Sequence, residues 1–233
     1  MELELRSGPL KAIIDPQGAW VTNVSDEKGD VLFPRRKLKA ADGTEKVRGG
    51  CHVCLPNFGP GGASGQPQHG FGRQQLWEVI DRTDSSALLE LNDNDGYAGL
   101  YAVLAYQLGE NKMVMTLELT NNSNRELRVA PAFHPYFALT EGEVKIDSET
   151  QELDELQDTK FIEGDHRELE LPNRRISLSS SELPVWALWT DRLGNYVCVE
   201  PTRAGYSFLN ETPDQRELLG AGETKTYVLT IAW

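Results

Sequence analysis

Three cysteines in 233 residues, Cys51, Cys54 and Cys198, are too few and too odd in number for a disulfide framework. Long hydrophobic runs are missing too, and no stretch approaches the ~18 apolar residues of a membrane span. Basic residues are outnumbered 23 to 36, a net charge of −13. That excludes nucleic acid and an anionic membrane as main partners, since both need a basic face. A small anion held by local arginines is still allowed, because exposed charges are screened beyond about 8 Å at physiological salt. The opening Met1-Glu-Leu-Glu-Leu-Arg6 alternates charge with leucine and lacks the apolar core of a signal peptide, so a cytoplasmic location is expected. Amphipathic helices are scarce, with none longer than a few turns. The length suits one domain spanning residues 1–233, large enough to bury roughly 70% of the unfolded surface.

What is present is alternation of period two. Met113, Met115, Leu117 and Leu119 fall on one face of a strand, with Thr116, Glu118 and Thr120 on the other. Tyr227, Leu229, Ile231 and Trp233 share one side of a last strand. Leu100 to Leu108 is apolar on both faces, which predicts a strand buried between layers. Turn residues separate these runs at Asn92 to Gly96, Gly109 to Asn111, Thr120 to Asn124 and Gly220 to Gly222. Many short strands joined by polar turns predict an all-β antiparallel sandwich or barrel. The acidic stretch from Glu141 to Glu155 reads as a solvated loop or edge.

Two titratable residues stand inside apolar, strand-like runs: His134 in Val129-Ala-Pro-Ala-Phe-His-Pro-Tyr-Phe137, and Glu200 in Tyr196-Val-Cys-Val-Glu-Pro201. Burying either unpaired costs about 1–3 kcal/mol or more, so each needs a partner or a task. Taken alone they read as satisfied core residues. An imidazole and a carboxylate are also the groups that move protons on and off a substrate near pH 7.

Two further segments sharpen the reading: Val47-Arg-Gly-Gly-Cys-His-Val-Cys-Leu-Pro-Asn-Phe-Gly59, and Gln66-Pro-Gln-His-Gly-Phe-Gly-Arg73 followed by Trp77-Glu78. Together with Phe133-His-Pro-Tyr-Phe137 and Val197-Cys-Val-Glu-Pro201, in that order, they resemble the aldose 1-epimerases, and more closely the branch acting on hexose 6-phosphates. The resemblance implies the family's large antiparallel β-sandwich, the galactose mutarotase-like supersandwich. It also implies interconversion of the α and β anomers of an aldohexose, with a sugar or sugar phosphate as partner and no metal, nucleotide or other cofactor. A monomer is expected. A mutarotase of neutral sugars and a sugar-binding module without turnover are the alternative readings.

By the same resemblance Glu200 is the base and His134 the acid of ring opening. His69 binds or orients sugar hydroxyls or the ring oxygen, and Gln68 contacts substrate. Arg48 and Arg73 match phosphate-binding positions, suited by their bidentate guanidinium groups. Asp154 is the candidate for an acidic contact to sugar hydroxyls, with Asp191 as its rival.

Other signals are set aside. Cys51-His-Val-Cys54 has redox spacing, but Gly49-Gly50 before it and Leu55-Pro56 after it predict a strand rather than a helix N-terminus, and only His52 is nearby as a third metal ligand. Gly59 to Gly65, the most flexible stretch by composition, lacks the Gly-Lys-Ser/Thr end of a phosphate-cradling loop. His166 reads as an exposed loop residue. The chain departs from its relatives at His52, where they usually have proline. It is also short for the family, which predicts missing loops or edge strands around the cleft.

Overall fold

The computed structural model describes residues 1–92 and 97–233, so most of the turn expected at Asn92 to Gly96 lies outside the described residues. Among the described residues the chain is built on two nine-stranded sheets whose paired strands are antiparallel. The first runs in the order Leu3–Ser7, Leu10–Asp15, Trp20–Asp26, Gly29–Leu32, Ala132–Ala138, Tyr196–Thr202, Val185–Trp189 and Lys160–Glu163, with Cys51–Cys54 pairing both Ala132–Ala138 and Trp20–Asp26. The second is centred on Arg174–Ser181, Thr224–Ala232, Lys112–Asn121 and Leu100–Gly109. One continuous core joins them: Val53, Phe133, Val197 and Val199 of the first sheet belong to the same buried cluster as Leu104, Met115, Leu117 and Leu229 of the second.

The period-two expectations hold at Met113, Met115, Leu117 and Leu119, all fully buried, and at Tyr227, Leu229 and Ile231. Three others need correction. In Leu100–Gly109, Leu100, Ala102, Leu104 and Tyr106 are buried but Val103 and Ala105 only partly so. This strand sits inside the second sheet and buries one face, and the residues of its other face are only partly buried or exposed. Asn121, expected in a turn, instead ends the strand Lys112–Asn121 and is buried, because its side-chain amide donates to the Arg125 and Leu219 carbonyls at 2.7 and 2.8 Å. His166 is exposed as expected but opens the strand His166–Leu171, where it pairs with Glu168 at 2.8 Å.

Cys51–Cys54 is a strand, as its flanking residues predicted. Gly109 to Asn111 is a hairpin turn with Asn111 in the left-handed region at φ +50°. Short strands Lys145–Ile146 and Glu149–Thr150 place the acidic segment at the edge of the second sheet.

The first sheet positions the site. Along its strands Cys51, Val53, Phe133, Phe137, Val197 and Val199 point into the core, so the alternating residues point out the other way. Those residues are His52, Cys54, His134, Tyr136, Cys198 and Glu200. They are buried as well, because loops fold back over this face.

Candidate active site

His134 and Glu200 stand on neighbouring strands of the first sheet, and His134 Nε2 lies 3.2 Å from Glu200 Oε2. The approach is close without being an aligned hydrogen bond. Glu200 Oε2 and His134 Nδ1 are both buried and, among the described residues, have no hydrogen-bond partner. Burial pushes the Glu200 carboxyl well above the ordinary carboxylate range. Burial, reinforced by His52 and His69 and then Arg73 and Arg48, holds His134 well below the ordinary histidine value. The pair therefore favours a state with one proton, held on the carboxyl side. The Tyr136 ring stacks on His134 with centroids 4.7 Å apart and planes 8° from parallel, fixing the imidazole plane.

These residues open onto a cavity of about 290 Å³, lined also by Arg48, Gln68, His69, Arg73, Phe58, Thr159, Trp189 and Tyr206. The loop from Gly59 to Arg73 supplies one wall. His69 there is held at φ +62°, a conformation uncommon for a residue with a Cβ. Its backbone N–H donates to the Gly59 carbonyl at 2.8 Å, and the Gly59 N–H donates to His69 Nδ1 at 3.2 Å. Nδ1 is thus an acceptor, which leaves the proton of the neutral ring on Nε2. Burial, then Arg73 and Arg48, hold His69 down to about 3, so it stays neutral and offers one N–H. Gly70 follows at φ +68°; a Cβ there would run into the Leu55 carbonyl, so only glycine lets the loop lie this close to the sheet.

The two arginines differ. Arg48 Nε donates to Asp191 Oδ2 at 2.8 Å, Nη1 donates to the Val47 carbonyl at 2.8 Å, and the guanidinium lies 5.4 Å from the Trp189 ring centroid. Asp191 Oδ1 accepts the Tyr196 hydroxyl. Arg73 Nη2 donates to the Gln68 carbonyl at 2.9 Å, and among the described residues no carboxylate lies within 4.0 Å of Arg73. Gly50, two residues after Arg48, takes φ +71° where a Cβ would strike the Val21 carbonyl.

Six of the seven residues singled out from the sequence therefore line one cavity: Arg48, Gln68, His69, Arg73, His134 and Glu200. The seventh, Asp154, does not. It is 82% exposed, pairs with Arg192 at 3.1 Å and borders a separate depression with Glu143 and Glu152. It precedes the short turn Glu155–Gln157, whose buried residue is Leu156, without a side-chain hydrogen bond to that turn, and its carboxylate faces solvent. Its rival Asp191 reaches the site indirectly, behind Arg48.

Phe58, Tyr136, Thr159, Trp189 and Tyr206 were not singled out. Tyr136 was within reach of the alternation starting at His134. Thr159 and Tyr206 carry no motif; their hydroxyls meet at 2.7 Å, and the Tyr206 ring stacks on Phe58 at 5.5 Å to form an aromatic wall. Among the described residues one group has metal-ligand spacing: His134, Cys198 and Glu200, with ligand atoms within 4.8 Å of one another. Cys198 of this group is a buried thiol on the same strand as Glu200.

Comparison with known proteins agrees with this architecture. A protein of Synechocystis sp. PCC 6803 superposes with a TM-score of 0.80 at 19% identity, over 100% of this chain and 95% of that one. A galactose mutarotase related enzyme from Lactobacillus acidophilus gives 0.79 at 16% identity, over 100% and 97%. An Escherichia coli K12 protein whose provisional name is glucose-6-phosphate 1-epimerase is 32% identical over 95 residues, 39% of this chain. That match spans about a third (32%) of the relative's length. The sequence pattern of the family described as aldose 1-epimerase matches residues 1–171, which include His134 and end before Glu200. The chain belongs to the aldose 1-epimerase family.

Proposed function

We propose that the protein, acting as a single domain over residues 1–233, interconverts the α and β anomers of an aldohexose, with a hexose 6-phosphate preferred. The observation that carries this reading is the buried His134–Glu200 pair, 3.2 Å apart and facing a sugar-sized cavity. Glu200, as carboxylate, removes the proton of the anomeric hydroxyl while His134, as imidazolium, protonates the ring oxygen. The bond from C1 to the ring oxygen breaks and an aldehyde forms. Rotation about C1–C2 exposes the other carbonyl face, and the ring recloses with the acid and base roles exchanged.

The proton count is conserved: before ring opening the pair holds one proton, on His134, and afterwards one proton, on Glu200. Burial favours the second arrangement, so the bound sugar must stabilise the carboxylate–imidazolium state that starts the step. Each placed proton transfer is worth ~10²–10⁴-fold in rate. His69 Nε2–H and the Gln68 amide are donors for the ring oxygen or hydroxyls, and Phe58 and Tyr206 offer apolar faces to the pyranose.

The 6-phosphate preference rests on Arg73, whose charge no described carboxylate offsets, with Arg48 as a second guanidinium on the cavity. The Asp191 carboxylate on Arg48 favours the second reading, a neutral aldohexose whose hydroxyl Arg48 would hold. Among the described residues no helix is long and apolar enough to cross a membrane. A cytoplasmic monomer is the expectation that goes with this reading.

Saturation-transfer NMR of anomer exchange with glucose 6-phosphate, glucose and galactose tests the proposal. Faster exchange mainly of the phosphate is the expected result. Exchange of neutral sugars alone would move the protein to the second reading, and no acceleration of any of the three would overturn both.

A further inference from the structure

His52 is a buried histidine that the reaction above does not use. It lies directly opposite His134 on the neighbouring strand, so His52, His134 and Glu200 form one row across Cys51–Cys54, Ala132–Ala138 and Tyr196–Thr202. The His52 ring is fully buried, between the Trp20 indole at 4.3 Å and the His134 ring at 4.8 Å, centroid to centroid.

Two nitrogens of this row have no hydrogen-bond partner among the described residues. His52 Nδ1 is 3.3 Å from the Val53 carbonyl oxygen, which can only accept, so Nδ1 carries the proton and Nε2 is a bare acceptor. That Nε2 has no partner. On His134, Nε2 is turned toward Glu200, and Nδ1, on the other side of the ring, has no partner either. Two imidazoles joined by an N–H···N bond of about 3 Å have centroids about 5 Å apart. The observed 4.8 Å is close to that separation, so a turn of the His52 ring, with His134 held flat against Tyr136, brings the two atoms together without moving the backbone.

We propose that His52 is a positioning residue for His134: His52 Nε2 accepts the Nδ1–H of His134, which makes Nε2 of His134 the nitrogen that exchanges a proton with the sugar. The role is that of the orienting third member in a hydrolase triad, filled by a neutral acceptor in place of a carboxylate. Neutrality suits the position, because burial and then the nearby Arg73 and His69 hold His52 well below the ordinary histidine range. A carboxylate here would add a second charge to a dry site that already holds Glu200.

The inference rests on the acid role proposed for His134, but its test does not depend on turnover. With four histidines in the chain, ¹⁵N-histidine NMR of the whole protein resolves each ring, and His134→Gln assigns the His134 signals. The expected spectrum has His134 Nδ1 protonated in the wild type and no longer uniquely so in His52→Phe. In turnover, His52→Phe lowers kcat by about 10-fold or more with KM within about 2-fold, and His52→Gln, which restores an acceptor oxygen, recovers most of the loss. A wild-type His134 with Nδ1 unprotonated overturns the proposal, as does a folded His52→Phe with wild-type kcat and an unchanged His134 tautomer. If His52→Phe does not fold, the wild-type spectrum decides. If no sugar is turned over, the spectrum still decides the His52–His134 contact separately from the function.

Discussion

Arg48 Nε donates to Asp191 Oδ2 at 2.8 Å, in a pair whose side chains are both less than a fifth exposed. The contact orients Arg48 and cancels most of its charge toward the cavity. Arg73, on the opposite loop, keeps its charge. The two arginines thus present different charge to the cavity, with Arg73 the less offset, whereas the sequence resemblance made Arg48 the more discriminating of the two for a phosphate.

From this division, Arg73→Ala should weaken glucose 6-phosphate by about 10–100-fold in kcat/KM, the worth of one charged hydrogen bond, and glucose far less. Arg48→Ala should also hurt the phosphorylated sugar more than the neutral one. Asp191→Asn, which frees the Arg48 charge, should widen the preference for phosphate. Steady-state kinetics on both sugars gives the ratio, and a ratio unchanged in all three variants would remove the phosphate from the reading.

Glu200→Gln removes the proton acceptor and keeps the shape of the side chain. The variant should fold with equal or higher thermal stability, since a buried carboxyl with a partnerless oxygen becomes an amide. Its kcat should fall by at least ~10². An active and folded Glu200→Gln protein would contradict the base assignment.

Stability should carry the signature of the site at both ends of the pH range. Burial raises the Glu200 carboxyl above its ordinary 4.5, so the folded chain binds that proton more tightly. The contribution is complete below pH 4.5 and is lost as pH rises through the folded value, at up to about 1.4 kcal/mol per unit. His69 has the opposite sign. It is held down to about 3 from 6.5, so its contribution is complete above pH 6.5 and is lost as pH falls toward 3. Urea midpoints from about pH 4 to pH 9 should show a dome, flattened on the alkaline side by Glu200→Gln and on the acid side by His69→Gln. Unchanged slopes would mean these groups do not titrate as described.

Far from the cavity, Asp26 accepts from Arg174 Nη1 at 2.9 Å and Nη2 at 3.2 Å, and from Trp233 Nε1 at 2.9 Å. The cluster ties a strand of the first sheet to the strand Arg174–Ser181 of the second and to the residue after its last strand, Trp233. Arg174 is almost wholly buried, so Asp26→Ala strands its charge and should cost about 3–5 kcal/mol. Arg174→Met leaves Asp26 its indole partner and some solvent, and should cost less. Urea unfolding of the two variants ranks them; the reverse order would mean the arginine's packing outweighs its charge.

Much of this protein was legible in the sequence because side chains alternate along a strand whatever the strand packs against. That alternation marked Met113 to Leu119 and Tyr227 to Ile231 as core. Local motifs around Arg48, His69, His134 and Glu200 likewise named side chains that meet in one cavity though they come from segments up to about 150 residues apart. Asp154, which no motif anchored, stands apart from that cavity because its short turn faces solvent. What only the tertiary structure decided were relations across strands and loops: Asp191 on Arg48, Tyr136 flat against His134, Tyr206 closing the aromatic wall, and His52 opposite His134. Register and loop closure set these contacts through long-range packing, and a single strand's pattern holds no information about which residue of its neighbour stands opposite.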